Sequence, residues 1–248
     1  MNKASSLNFE KLKVGCGHCN MRELCFPHGM GEDELDKLNA VVEHRRPLHK
    51  GDYLYHDGDQ ASAIYAVRSG SLKTIVESPN GDEQIVGFHM PGELVGLDGF
   101  RDDTHSCACI SLETSSVCEL PIRDLEELCL QLPAIQQQMR RIIGKEVSND
   151  HAMLLMLGKM SAEEKVASFL LSISRRMEER HWKANDFVLS MPRQDIANYL
   201  GLAVETVSRL FAHYQEEGTI EVDRRRVHIK NLNRLRQVVG ECKGDDCD

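Results

Sequence analysis

Three cysteines with metal-ligand spacing lie near the start of the chain, in the segment Gly15-Cys-Gly-His-Cys-Asn-Met-Arg-Glu-Leu-Cys25. Thiolates two residues apart can bind one metal centre from a single turn, and a third thiolate further along can reach the same centre. Three ligands complete neither a tetrahedral zinc site nor the four corners of an iron–sulfur cube. The spacing therefore predicts a metal centre with a fourth ligand from elsewhere in the fold. A zinc knuckle and unligated thiols are the alternatives.

The remaining cysteines carry no such spacing. The chain has nine cysteines, and its N-terminus lacks the apolar core of a signal peptide, so we expect a cytoplasmic protein that uses thiol, metal or redox chemistry rather than structural disulfides. Cys118 lies among apolar neighbours, and this pattern by itself favours a packed core cysteine. We interpret the others as packing or tail residues: Cys107, Cys109, Cys129, Cys242 and Cys247.

A second group of residues has the types and spacing that reading DNA requires. Between Arg193 and Phe211, Ala197 allows two helices to cross closely, and Gly201 supplies a left-handed turn residue. This pattern predicts a helix-turn-helix whose second helix begins near Val204. We expect that helix to expose three residues that can accept hydrogen bonds from cytosine or donate them to guanine, namely Glu205, Ser208 and Arg209.

A short hairpin after the helix-turn-helix completes a winged helix. Its strands are predicted at Ile220 to Val222 and Val227 to Ile229, with Arg224, Arg225 and Arg226 at the tip, where a wing grips phosphates. The charge distribution agrees with this placement. Residues 159–239 carry 14 Lys and Arg against 11 Asp and Glu, whereas the rest of the chain carries 16 against 28, within a net charge of −9. DNA binding is therefore expected only in the C-terminal third.

The elements that must position these groups are short strands and one long helix. An acidic helix is predicted from Glu32 to His44. Glycine-containing turns then separate evenly spaced short strands, a pattern typical of an antiparallel roll. The predicted strands are Leu54-Tyr55, Ala63 to Val67, Ser71 to Val76, Gln84 to Met90, Cys107 to Leu112 and Ser116 to Leu120.

The long helix is predicted from Ala134 to Met160, and the capping box Ser161-Ala-Glu-Glu164 starts the next helix. Glu146 and Asp150 interrupt its apolar stripe, so a parallel pair of such helices would bring like charges together. The helix is either an interdomain helix with solvated acids or a deliberately weak dimer seam. The candidate dimerisation residues are Ile135, Met139, Ile142, Ile143, Val147, Asp150, Leu154 and Leu157.

The order of metal arm, glycine-punctuated roll, long helix and winged helix resembles the cyclic-AMP receptor/FNR superfamily of bacterial transcription regulators, specifically its oxygen-sensing FNR branch. The resemblance covers nearly the whole chain. It implies an α+β fold with a cluster-binding arm (1–31), an antiparallel β-roll sensor domain (32–133), a dimerisation helix (134–160) and a winged helix-turn-helix domain (161–248). The motifs that carry it are Cys16-x2-Cys19-x5-Cys25, Gly81 to His89, Gly92 to Gly96, Ser116 to Pro121 and Asn198 to Arg209.

The resemblance also implies a cofactor and partners. In the family, three N-terminal cysteines and one roll cysteine hold an oxygen-labile 4Fe-4S cluster, which assigns the fourth ligand to Cys118. Glu205, Ser208 and Arg209, with Val204 at the start of the helix, would read a half-site resembling TTGAT, and a homodimer would bind an inverted repeat of double-stranded DNA. The turn from Pro79 to Glu83, with Gly81 and Asp82 at its centre, resembles a region that contacts RNA polymerase. We therefore predict an anaerobic regulator that mainly activates transcription.

Departures from the family pattern argue against a cyclic nucleotide as the effector, and one alternative kind of regulator remains. Cyclic-nucleotide relatives place a phosphate-binding arginine in the loop from Asp98 to Cys109, but here Arg101 comes early and the Asp102-Asp103 pair would repel a phosphate, so no cyclic nucleotide is expected. No apolar run approaches the ~20 residues of a membrane span, and no catalytic constellation indicates an enzyme. The rival is a same-fold regulator that senses through zinc or reversible thiol oxidation. The sequence does not determine how Asn20 and Leu24, beside the second and third cysteines, affect oxygen sensitivity.

Overall fold

The computed structural model describes residues 15–241; residues 1–14 and 242–248, and with them Cys242 and Cys247, lie outside the described residues. The arm begins with a 3-10 turn, Cys16–His18, and leads into helix α1, Glu32–Val41. Glu34 accepts a hydrogen bond from the Gly31 backbone N–H (3.0 Å), which fixes the start of α1. The helix ends three residues earlier than predicted, because His44 belongs to a strand.

Two four-stranded antiparallel sheets form the roll, with strand orders β1-β8-β3-β6 and β2-β7-β4-β5. This arrangement confirms the predicted α+β class and antiparallel roll. The pattern of the sequence did not indicate β1 and β6, which have only two residues each. The strands are β1 Glu43–His44, β2 Tyr53–Tyr55, β3 Ala63–Ser69, β4 Leu72–Glu77, β5 Glu83–His89, β6 Leu94–Val95, β7 Ala108–Ser111 and β8 Ser116–Pro121.

Two helices follow the roll: α2, Ile122–Gln131, and the long α3, Pro133–Lys159. The bounds of α3 agree with the prediction to one residue at each end. Helix α2 was not predicted; it follows β8 directly, and its N-cap Pro121 makes no side-chain capping bond that would have marked the start. Leu125 and Leu128 of α2 are buried against the roll and α1.

The apolar residues of α3 do not form one continuous seam, which corrects the prediction. Ile135 is fully buried in its own protomer's roll core. Met139 and Ile142 pack against that core, while Leu157 packs against the core of the C-terminal domain. A set of four residues remains exposed on the helix surface and is called the exposed stripe of α3: Ile143 (42%), Val147 (47%), Asp150 and Leu154 (68%).

Glu146 also departs from the prediction, because it does not share the exposed stripe. Its side chain is half-buried and accepts a hydrogen bond from Asn149 (3.3 Å). Burial raises the pKa of Glu146, and the charges of Glu93 and Arg176 contribute to its environment. Those two residues belong to the same protomer, so Glu146 faces inward and only Asp150 remains as an acid of the stripe.

Within the described residues, the C-terminal domain has four helices and a three-stranded sheet of order β10-β11-β9. The Ser161 side chain accepts a hydrogen bond from the Glu164 N–H (3.3 Å) and the Glu164 carboxylate accepts one from the Ser161 N–H (2.7 Å), as the predicted capping box requires. Strand β9 and the last helix were not predicted. The elements are α4 Ala162–Glu179, β9 Asp186–Val188, α5 Arg193–Leu200, α6 Val204–Glu216, β10 Ile220–Asp223, β11 Arg226–Ile229 and α7 Leu232–Val238.

Several polar contacts join the roll to the C-terminal domain. Asn198 of α5 pairs with the edge strand β5: its Oδ1 accepts from the Ile85 N–H (2.6 Å), and its amide donates to the Glu83 carbonyl (2.7 Å). Glu93, in the turn before β6, accepts hydrogen bonds from Arg176 (2.9 Å) and Arg180 (2.6 Å) of α4. The first contact satisfies backbone groups that an edge strand leaves open.

Candidate metal centre and DNA-reading face

The four cysteines Cys16, Cys19, Cys25 and Cys118 line a single pocket between the arm and the roll, which is called the cysteine pocket. The rest of its wall is mainly apolar, with two arginines and a histidine. These wall residues are Arg22, Phe26, Pro27, Leu38, Val42, His44, Ala66, Arg68 and Leu120. The structure thus brings the three clustered cysteines together with a residue about 93 positions further along the chain.

Backbone turns place the three arm cysteines around the pocket. The Arg22 N–H donates to the Cys19 carbonyl (3.0 Å), and the Cys25 N–H donates to the Met21 carbonyl (2.9 Å). Phe26, which is buried in the core beside α1 and α2, anchors the end of this segment. The side chain of Asn39 on α1 accepts a hydrogen bond from the Cys16 N–H (3.2 Å) and fixes its beginning.

Cys118 reaches the pocket from β8, between His44 of β1 and Ala66 of β3. Its Sγ lies 3.8 Å from His44 Nδ1. The side chain is half-buried rather than enclosed in the core, because the arm covers it only in part. The apolar pattern around Cys118 had favoured a core cysteine, whereas its position agrees with the role that the family resemblance implied.

Burial favours the neutral thiol at Cys16, Cys25 and Cys118 by raising the pKa of each. Burial raises the pKa of Cys25 to about 12 and that of Cys118 to about 11, and neighbouring cysteines add to both shifts. Burial raises the pKa of Cys16 as well, and its cause includes Cys19. Arg68 acts in the opposite direction on Cys118. Thiolates are the ligands that iron–sulfur clusters require. The pocket is also lined by two cationic residues, Arg22 and Arg68, whose charge is opposite to that of the thiolates.

Across residues 15–241, no three Cys, His, Asp or Glu side chains converge on one position that could hold a metal ion. The four thiols nevertheless share one pocket and influence one another's charge. Four cysteines that line one mainly apolar pocket fit a polynuclear cluster, whose four corners each take one thiolate.

The other described cysteines lie away from this pocket. Cys109 is fully buried inside the roll, and Cys107 lies beside it, with its thiol 3.5 Å from Asp98 Oδ2. Cys129 lies on α2 and packs partly against the arm-side core. Their predicted role as packing residues agrees with these positions.

Aromatic rings fill the interior of the roll. Tyr55 stacks on His105, with ring centroids 3.6 Å apart, and lies 6.0 Å from the ring of Tyr65. All three side chains are buried. Arg101 does not point inward, since its guanidinium pairs with Asp102 (2.9 Å) on the surface.

The four residues predicted to read DNA lie on one exposed face of α6, which is called the recognition face: Val204, Glu205, Ser208 and Arg209. The opposite face is buried through Val207, Phe211 and Tyr214. Gly201 adopts the left-handed conformation (φ 60°) that the turn before α6 needs. The helix begins at Val204, where the sequence placed it.

The hairpin tip differs from the prediction of three arginines facing a phosphate backbone. The Arg225 guanidinium donates to the carbonyls of Leu189 (2.8 Å) and Ser190 (2.6 Å), so it ties the hairpin to the domain. Arg226 lies in β11 and forms an ion pair with Asp186 (2.6 Å). All three arginines are exposed, and Arg224 lies at the turn in a left-handed conformation (φ 54°). It is the best placed of the three to reach a phosphate.

The turn between β4 and β5 exposes Gly81 and Asp82. Ser78 and Asp82 close the turn through a backbone hydrogen bond (2.8 Å), and Gly81 adopts a left-handed conformation (φ 84°). The turn is therefore a rigid surface feature next to the strand that Asn198 contacts.

Several residues of these sites were not found from the sequence. Arg22 lies between two predicted ligands, so its position in the motif could have drawn attention to it. Arg68, His44 and Glu93 gave no local signal, because each reaches its partners through the pairing of distant strands or domains.

Comparison with known proteins agrees with this organisation. Residues 45–131 match the cyclic nucleotide-binding domain family, and residues 164–238 match the Crp-like helix-turn-helix domain family. The chain is 44% identical over 225 residues to the transcriptional activator protein Anr of Pseudomonas protegens, covering 91% of this chain and 92% of that protein. It is 40% identical over 230 residues to the fumarate and nitrate reduction regulatory protein of Escherichia coli K12, covering 93% and 92%.

Two further similarities are informative. The anaerobic regulatory protein of Haemophilus influenzae is 40% identical over 230 residues, covering 93% of this chain and 90% of that protein. The solved structure of FixK2 from Bradyrhizobium japonicum superposes with a TM-score of 0.74 at 28% identity, covering 80% of this chain and 97% of that one. Within residues 15–241, no helix combines the length and apolar composition that crossing a membrane requires.

Proposed function

The chain belongs to the CRP/FNR superfamily of transcription regulators, in its FNR type, and we propose that it activates transcription as a homodimer while an oxygen-labile 4Fe-4S cluster is intact. The observation that carries this proposal is the convergence of Cys16, Cys19, Cys25 and Cys118 on one pocket. The transcriptional role follows from the family. The cluster, its oxygen response and the dimer are the parts that we propose.

The residues of the cysteine pocket suit a cluster that oxygen destroys slowly enough to act as a signal. When bound, the cluster supplies an iron–sulfur centre that oxygen can oxidise. Phe26 and Leu120 exclude water from one side of the pocket, while Arg22 and Arg68 counter the charge of the thiolates. Because exposure and charge both set the stability of such centres, this half-open pocket fits a sensor.

The arm that carries three of the ligands touches both elements that would transmit the signal. The Gln138 side chain of α3 donates to the Cys25 carbonyl (3.5 Å). On the other side, Leu24 packs so closely against Gly92 that a Cβ at Gly92 would lie 2.9 Å from Leu24 Cβ. Glu93, the next residue, binds α4 of the C-terminal domain. Loss of the cluster would therefore disturb the contacts of both α3 and α4.

Dimerisation is proposed through the exposed stripe of α3. Ile143, Val147 and Leu154 are the large apolar residues left exposed on this long helix, together with Leu155. Their spacing is that of a coiled-coil seam, and the expected occupant is the same helix of a second copy. Asp150 falls between Val147 and Leu154, so parallel pairing brings two carboxylates together and weakens the seam.

DNA readout is proposed for the recognition face. Arg209 can donate two hydrogen bonds to a guanine, and Glu205 can accept one from a cytosine, as a half-site resembling TTGAT requires. Arg224 at the hairpin tip would contact the phosphate backbone. Gly81 and Asp82, on their exposed turn, are the proposed contact for RNA polymerase.

A cyclic nucleotide is not the proposed effector, although the roll matches the cyclic nucleotide-binding domain family. The rings of Tyr55, Tyr65 and His105 occupy the interior of the roll. Arg101 is paired with Asp102 on the surface, and the Asp102-Asp103 pair adds negative charge to the loop where cyclic-nucleotide relatives place a phosphate-binding arginine. Both observations argue against an anionic ligand in this position.

The experiment that tests the proposal is purification without oxygen. The parent protein is expected to be brown, to contain iron and sulfide, and to bleach in air. Cys118→Ala should abolish cluster assembly and promoter activation, as should the change of each arm cysteine, whereas Cys129→Ala on α2 is the matched control and should retain both. A colourless protein with stoichiometric zinc, or normal activation by Cys118→Ala, would contradict the proposal and favour the zinc or thiol rival.

A further inference from the structure

Arg22 presents a buried hydrogen-bond donor to the cysteine pocket. Its Nη2 donates to the Met30 carbonyl (2.9 Å), which fixes the guanidinium against the arm. Its Nε is buried, and among residues 15–241 no acceptor lies within hydrogen-bond range of it. The same side chain lines the pocket that the four cysteines share.

A buried donor without an acceptor destabilises a protein, so such donors are almost always paired. Within the described residues, the other buried side-chain atoms in this condition are His28 Nδ1 and Tyr55 Oη, and neither residue lines the pocket. Arg22 is thus singled out by two independent features, its orphaned donor and its position at the candidate metal centre.

We propose that the Arg22 Nε–H donates a hydrogen bond to a sulfur of the bound cluster, either a bridging sulfide or a ligating thiolate, and thereby sets how easily the cluster is oxidised. The inference rests on the proposed function, because it requires the cluster to occupy the cysteine pocket. Sulfide and thiolate sulfurs are acceptors, and hydrogen bonds to them are among the factors that set the reduction potential of iron–sulfur centres.

The sign of the effect follows from the charge on sulfur. Reduction makes the cluster more negative, so a donor stabilises the reduced state more than the oxidised one. Removing the donor should lower the reduction potential and make oxidation by oxygen easier. Arg22 therefore slows the oxidation of the cluster by oxygen, and the positive charge of its guanidinium adds to that effect.

The informative variant is Arg22→Lys. A lysine keeps the positive charge, and its Nζ can reach the Met30 carbonyl, but it places a methylene group where Nε lies in the parent. The control is Arg123→Lys, which makes the same substitution at an exposed arginine of α2 that does not line the pocket. All three proteins are prepared without oxygen, and their iron and sulfide contents are measured first.

With equal iron and sulfide, Arg22→Lys is expected to shift the equilibrium between reduced and oxidised cluster by up to about tenfold, or about 59 mV for a one-electron couple. Its visible absorbance should also bleach faster in air-saturated buffer, while Arg123→Lys stays close to the parent. Unchanged potential and bleaching in Arg22→Lys would overturn the inference, and so would equal shifts in the two variants.

A second measurement covers the case in which Arg22→Lys fails to assemble a cluster. Arg68→Lys protein is used because, among the described residues, Arg22 is then the one arginine left in the lining of the cysteine pocket. The protein is labelled with 15N-arginine and reduced, and pulsed electron paramagnetic resonance is used to detect nitrogen coupling to the cluster. A coupling supports the assignment to Arg22, and its absence overturns it. If the parent itself takes up no iron and sulfide, the proposed function fails, which is a different result from either outcome for Arg22.

Discussion

Glu93 lies between the guanidinium groups of Arg176 and Arg180, and we expect Glu93→Gln to loosen the contact between the roll and the C-terminal domain. The carboxylate accepts hydrogen bonds from both arginines and from the Met90 N–H (3.0 Å). The Arg180 side chain is only 1% exposed, and that of Glu93 is 24% exposed. The substitution leaves the volume nearly unchanged but removes the charge that faces one buried cation, Arg180, and one half-buried cation, Arg176.

The loss of folding stability in Glu93→Gln can be estimated in two ways. Burial alone would raise the pKa of Glu93, yet the charges and hydrogen bonds of Arg176 and Arg180 lower it from 4.5 to about 2. At 1.36 kcal/mol per unit this corresponds to about 3 kcal/mol. Breaking a buried ion pair by removing one partner costs about 3–5 kcal/mol. Since Glu93 retains some exposure, we expect the lower value, about 3 kcal/mol, or a fall in Tm of about 6–12 °C.

The pH dependence gives an independent check with a defined sign. A carboxylate whose pKa is lowered on folding contributes stability above its unfolded pKa and loses it as pH falls through its folded pKa. The difference in Tm between parent and Glu93→Gln should therefore be constant at neutral pH and shrink below about pH 4.5 towards pH 2.

Thermal unfolding of cluster-free protein, followed by circular dichroism, measures both quantities. Glu127→Gln, a change at an exposed position of α2, is the control and should leave Tm within about 1 °C. A Tm for Glu93→Gln equal to that of the control, or a difference that does not shrink in acid, would refute the assignment of Glu93 as the bridge between the two domains.

Three further predictions concern DNA and the dimer. Arg209→Ala should weaken binding to the inverted repeat about 5- to 150-fold and make variants at the contacted guanine nearly equivalent, as measured by titration of single-base variants. Arg224→Ala should instead weaken all sequences alike and flatten the salt dependence; an identical sequence profile for the two mutants would contradict both roles. Asp150→Ala removes like charges from the exposed stripe, so sedimentation of aerobic, cluster-free protein should show an appreciable dimer, with Ser148→Ala as control. A mutant as monomeric as the parent would disprove the weak seam.

Local patterns in the sequence were sufficient for the elements that are stabilised by their own residues. The long helix was predicted to one residue at each end, and the second helix of the helix-turn-helix was predicted to begin at Val204, as it does. Capping by Ser161 and Glu164 and the left-handed Gly201 are interactions between near neighbours, so their signal is contained in a few consecutive residues. The Cys-x2-Cys-x5-Cys spacing is a local signal of the same kind.

Tertiary structure decided which face of each helix or strand is buried and which is exposed. Ile135 and Ile143 lie on the same helix and share an apolar character, yet one is enclosed by the roll and the other is exposed. Periodicity shows that a residue is apolar, but it does not identify what covers it. For the same reason the wing arginines could not be told apart: Arg225 and Arg226 are engaged by Leu189 and Asp186, which belong to a part of the domain with no local relation to the hairpin.

The candidate metal centre combines both kinds of information. The spacing of the arm cysteines predicted a metal centre whose fourth ligand comes from elsewhere in the fold. Only the packing of the arm against β8 brought Cys118, Arg22 and Arg68 to the same pocket. The pattern around Cys118 by itself favoured the core, because a strand residue among apolar neighbours has the same local signature whether its thiol faces other side chains or a cofactor. That difference depends on which part of β8 remains exposed beside the arm, which lies far away in the sequence.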